Sequence, residues 1–213
     1  MTSYYSQLYF NRIASNVVFF ILALILGFTL LGTIGCGWQS IPQSKNNVEA
    51  ALSEVTNQYK RRSDLIPNLV ESVKGYAKQE KETFVAVTEA RSKASSIQID
   101  PTKVEPEALK KFQQAQGELS QALGRLMVIS EKYPDLKSNQ NFSDLQSQLE
   151  GTENRITVAR NRYIEAIKEF NNLVNVPPTS WTNSLMYHFE KMPQWDVSDA
   201  EKKTIDQAPK VSF

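Results

Sequence analysis

Two arginines, an aspartate, a proline and an asparagine crowd into RRSDLIPNL, residues 61–69. Proline inside a helix has no N–H to give and crowds the preceding turn, at a cost of about 3 kcal/mol. Backbone carbonyls freed by Pro67, together with the Ser63 hydroxyl, can then accept hydrogen bonds from another molecule. On that ground Arg61, Arg62, Asp64, Pro67 and Asn68 form a candidate partner-docking notch. Arg62 also has a structural reading. It falls on an apolar seam, where an unpaired charge is costly. A carboxylate of the third helical tract, Glu150 or Glu153 in EGTENR, is the expected partner. Such a pair fixes register more than it adds stability.

Other chemistry is poorly supplied. Nucleophilic catalysis wants a nucleophile beside a base that a third group orients. The chain has one cysteine, Cys36, next to an apolar run, and one histidine, His188, far along the sequence. A single cysteine excludes an internal disulfide, and a single histidine excludes a His-rich metal site. ENRITVARNRYIEA has no Glu-x-x-His pair of the kind that holds two metals in a bundle. No glycine-rich phosphate loop occurs. Lys78, Glu80, Lys81 and Glu82 read as a solvated helix face with ion pairs. The expectation is a protein that is not an enzyme, with no catalytic residue, no cofactor and no metal. A net charge of +1 lacks the basic excess of a nucleic-acid binder.

The elements that carry these residues are helical. Apolar positions step by three and four through Val48, Leu52, Val55, Tyr59, Ile66, Leu69, Val73 and Tyr76, and resume at Phe84, Val87, Ala90, Ala94 and Ile97. A second seam runs Leu109, Phe112, Gln116, Leu119, Leu123, Leu126, Tyr133. A third runs Leu145, Leu149, Ile156, Ala159, Tyr163, Ile167, Phe170, Val174. No alternating strand pattern with turn signals is present. The fold class is all-α: an N-terminal membrane anchor, then a long antiparallel three- to four-helix bundle. Its first helix, near 45–97, is expected to kink at Pro67. The seam Val48, Leu52, Val55 and Tyr59 then extends past its neighbours and offers a surface for self-association. The aromatic-rich tail carries Trp181, Leu185, Phe189 and Met192 at helical spacing, a short amphipathic helix expected to pack on the bundle. His188 is expected to be an ordinary polar position on that helix.

Before the bundle, residues 17–34 read VVFFILALILGFTLLGTI, eighteen residues without a charge. That is about the minimum to span a roughly 30 Å hydrocarbon core. Cys36 directly after it suits bacterial lipoprotein processing, although Thr33 stands where Leu, Val or Ile is usual. The segment is therefore either a transmembrane anchor or a lipoprotein signal with lipidation at Cys36. The parts are a short N-terminal segment (1–16), the anchor or signal (17–36), the helical bundle (37–178) and the tail (179–213).

The blocks QYKRRSDLIPNLVESVKGYAKQEKETFVAVTEARS (58–92), Leu119 to Leu173, and the closing PKVSF resemble the LemA family of bacterial envelope proteins. That resemblance implies an N-terminal anchor, a long helical bundle and no catalytic activity. It also implies envelope partners, for some members are encoded beside a membrane metalloprotease or TPM-domain proteins. The expected function is a membrane-tethered helical adaptor of the cell envelope, its bulk outside the cytoplasm. The alternative is a self-assembling homo-oligomeric scaffold or spacer built through Val48, Leu52, Val55 and Tyr59.

Overall fold

The computed structural model describes residues 16–25, 38–76 and 80–195. Every regular element among them is helical: α1 (16–25), α2 (Ser40–Ser72), a 3₁₀ turn (Lys74–Tyr76), α3 (Lys81–Ser96), α4 (Pro106–Ser130), the single turn α5 (Pro134–Lys137), α6 (Gln140–Asn175), the single turn α7 (Thr179–Thr182) and a π-helical turn (Asn183–Tyr187). The chain forms two compact units. One comprises Lys45–Phe170 with the described residues from Met192 on. The other comprises the described residues up to Ser44 with Asn171–Lys191.

The larger unit is an up-down-up-down four-helix bundle of α2, α3, α4 and α6. Side-chain pairs fix the directions. Ser63 on α2 meets Ser95 on α3, with 2.8 Å between hydroxyls, so the two helices run antiparallel on either side of the turn at 73–80. Lys93 on α3 reaches Glu118 on α4 at 2.6 Å, and the same two helices flank a groove holding Ala86 with Arg125. That spacing is antiparallel. Tyr59 meets the Phe112 ring and Arg62 meets Ser120, so α2 and α4 run parallel. Arg62 also meets Glu153, while Glu54 shares a groove with Arg162, so α2 and α6 run antiparallel. Ile66, Leu69, Val73, Phe84, Val87, Leu119, Leu126, Leu136, Phe142 and Leu149 form the core. The three sequence seams are therefore the buried faces.

One expectation needs correcting. Residues 45–97 are not one helix kinked at Pro67. α2 continues through Pro67 to Ser72, and the chain reverses over 73–80. Gly75, the absence of a side-chain cap at Glu80 and the apolar content of α3 all favour folding back. Reversal lets Phe84, Val87 and Ala94 cover the core, whereas a straight continuation of about 24 Å would leave them in water. α4 then starts at Pro106, whose fixed φ suits a first helical position. Asn139 caps α6 by accepting from the Phe142 amide at 3.2 Å.

In the smaller unit the chain turns sharply after Tyr187. His188 adopts left-handed φ 54° and is not a helix-face position. Asn183 closes that turn: its side chain accepts from the Phe189 amide and donates to the Phe189 carbonyl, both at 3.0 Å. Trp181 and Leu185 do not pack as the sequence pattern suggests; they are 68% and 75% exposed.

Among the described residues no helix is long and apolar enough to cross a membrane. α1 carries the first part of the apolar run. The rest of that run and Cys36 lie outside the described residues.

Candidate functional site

The notch around Pro67 separates into an inner and an outer set. Arg62 points inward and is 1% exposed. Its Nη1 donates to Ser120 Oγ at 2.7 Å and to Glu153 Oε2 at 3.0 Å. Its Nη2 donates to the Gln116 side-chain oxygen at 2.7 Å and the Gln116 carbonyl at 3.2 Å. The Tyr59 ring lies 5.0 Å from the guanidinium carbon, within cation–π range. A flat five-donor group is thus shared among α2, α4 and α6, which ties three helices to one register. Glu153, not Glu150, is the carboxylate partner, and its side chain is half exposed. Arg61, Asp64, Pro67 and Asn68 face outward.

Pro67 has a specific consequence. In an α-helix the amide of residue 67 would bond the carbonyl of Ser63. Proline cannot supply it. Arg91 on α3 does so instead, its Nε donating to Ser63 O at 2.9 Å. The Ser63 hydroxyl is also engaged, with Ser95. These acceptors, expected to be open to a partner, are filled from within the chain.

Outside them lies a concave groove of about 460 Å³ between α2, the end of α3, the 97–105 connection and α4. Tyr59, Phe112, Ile97 and Ile99 give it apolar surface, and Lys60, Asp64 and Arg91 give it charge of both signs. Of the notch residues, Asp64 alone lines this groove. Arg91, Ile97, Ile99 and Phe112 were not in the sequence-based set. Arg91 had a signal: a proline in a helix interior requires a replacement donor, and an arginine elsewhere can provide one.

The seam offered for self-association is closed within one chain. Val48, Leu52, Val55 and Tyr59 are all buried. Tyr59 lies edge-on to Phe112 at 5.2 Å and stacks on Trp195 at 6.5 Å. Trp195 also meets Tyr163 edge-on at 6.0 Å and has the Arg160 guanidinium 5.8 Å above its ring. The tail at Trp195 therefore covers the α2–α6 seam. Burial raises the Tyr59 hydroxyl above its ordinary value, against the opposing pull of Arg62 and Arg160. Burial pushes Tyr163 up to about 12. Its hydroxyl is buried with no hydrogen-bond partner among the described residues. Among those residues no three His, Cys, Asp or Glu side chains converge as a metal site would need.

Residues 51–213 match the LemA family. The chain belongs to that family. It is also similar to Protein LemA of Metamycoplasma hominis, with 26% identity over 191 residues, covering 88% of this chain and 82% of that protein. The matched region includes most of α2 and all of the bundle that follows. The docking groove thus lies within the family's shared region.

Proposed function

We propose that this LemA family member is a membrane-tethered, non-catalytic helical adaptor of the cell envelope. The apolar run 17–34, or lipid on Cys36, holds it at the membrane, with its bulk outside the cytoplasm. The groove beside Tyr59, Lys60, Asp64 and Arg91 receives an envelope protein. That groove carries the reading: it joins apolar surface to charge of both signs and is backed by a satisfied arginine network. A rigid, two-sign apolar recess suits specific protein recognition, because mismatched partners leave charges unpaired. The self-assembling scaffold has less support, because its proposed seam is buried in the single chain.

The test is photo-crosslinking in native membranes. A photoreactive residue replaces Lys60 or Gln98 in the groove, or Arg155 on the α2–α6 side as control. The expected result is one heteromeric adduct from the groove positions, lost in an Asp64→Arg background. A ladder of self-adducts would instead favour the scaffold. Equal patterns from all three positions would refute the groove.

A further inference from the structure

The charge pattern of the smaller unit is unlike that of the rest of the chain. Residues 38–44 and 171–189 contain no Asp, Glu, Lys or Arg, although 22% of the whole chain is charged. In their place are large apolar side chains open to solvent. Trp181 and Leu185 are 68% and 75% exposed, and Trp38 and Met186 are 54% and 41% exposed. The two segments are tied together: Tyr187 Oη donates to the Trp38 carbonyl at 2.6 Å, and the Tyr187 ring stacks on Phe189 at 5.5 Å. A soluble surface rarely leaves such a group both uncharged and uncovered. Tryptophan and tyrosine with neutral polar neighbours are the composition of a membrane–water interface.

Position along the chain identifies what covers it. Trp38 follows Ile34, the last residue of the apolar run, by four positions. Four residues reach at most about 14 Å. The headgroup layer is about 5–8 Å deep on each side of the hydrocarbon. Lipid on Cys36 would bring Trp38 closer still, two residues away. Either form of tether therefore places Trp38 at the bilayer surface, and Tyr187 brings the 181–189 turn with it.

We infer that Trp38, Trp181, Leu185, Met186 and Tyr187 form an uncharged collar that seats in the headgroup region of the membrane holding the chain. The inference rests on the tether proposed above. The collar recognises lipid by apolar burial and not by charge, so its contact is indifferent to anionic lipid and to salt. Exposed aromatics here serve the lipid surface and leave the groove for protein.

The test uses the full chain reconstituted in phosphatidylcholine vesicles with nitroxide-labelled lipids. Three tryptophans emit, and the difference between the wild-type chain and Trp181→Phe isolates Trp181. Position 181 is exposed, so the substitution spares the fold. The expected result is loss of the Trp181 component to a nitroxide near the headgroup, with less loss to one deep in the acyl chains. Leu185→Glu with Met186→Glu should reverse that loss, and phosphatidylglycerol or about 1 M salt should not change it. A Trp181 component untouched by nitroxide and fully quenched by aqueous iodide overturns the collar. Alkaline extraction of the same vesicles tests the tether separately. Retention without quenching overturns the collar alone; extraction with quenching at neutral pH supports the collar and overturns the tether; extraction without quenching overturns both.

Discussion

The replacement of a missing amide by Arg91 can be measured as a coupling between Pro67 and Arg91. In the native chain, Arg91→Ala strips the Ser63 carbonyl of the donor that stands in for the helix hydrogen bond. A charged donor to a carbonyl contributes about 1.5–3 kcal/mol, and Arg91 is only half-buried, so the lower end applies. The expected cost is about 1.5 kcal/mol. Pro67→Ala restores an amide at the position that would reach Ser63. It should stabilise α2 by on the order of 1 kcal/mol, a fraction of the interior-proline penalty, because the helix already accommodates the ring. With that amide present, removing Arg91 leaves no orphaned carbonyl, and its cost should fall to about 0.5 kcal/mol. The double-mutant cycle then gives an interaction of about 1 kcal/mol between residues that share an acceptor without touching it in the same way. The assay is urea unfolding of the four variants followed by far-ultraviolet circular dichroism. An Arg91→Ala cost that is the same in both backgrounds would refute the substitution of one donor for the other.

Further expectations follow from the same contacts. Arg62→Ala should destabilise by about 3–5 kcal/mol, since it orphans Gln116 and opens a void. Glu153→Gln should cost about 1 kcal/mol or less, because its side chain is half exposed. Equal costs in a denaturant titration would show that the network does not centre on the guanidinium. Leu52→Glu should unfold the bundle and not merely separate copies, because the position is fully buried; sedimentation and circular dichroism of the variant distinguish the two. Tyr163 should produce an alkaline loss of stability. Its folded value, about 12, lies above the unfolded value near 10.0, so the unfolded state loses its proton first as pH rises. Stability is therefore full below about pH 10 and falls progressively up to about pH 12. Tyr163→Phe should flatten that fall while costing little at neutral pH, since the hydroxyl has no partner among the described residues. Thermal melts at stepped pH test this directly.

Much of the bundle was legible from local pattern. Apolar spacing of three and four identified the buried faces of α2, α4 and α6, because burying one stripe of a helix is a property of sequence period alone. Arg62 on that stripe required a carboxylate, and Glu153 was one of the two named. The reversal at 73–80 was not legible in the same way. The heptad-like pattern resumes at Phe84 in nearly the same phase, so continuation and reversal bury the same residues on paper. Only the partner surface on α4 decides between them.

Sequence by itself determined the all-helical class, the family, the apolar run and the need for a donor near Pro67. Tertiary structure decided that Arg91 would be that donor, that Trp195 would cover Tyr59, and that Trp181 and Leu185 would stay uncovered. The physical reason is range. Periodicity and backbone chemistry act within a few residues, whereas a hydrogen bond from residue 91 to residue 63, or a ring stack from 195 to 59, exists only after four helices have been brought side by side.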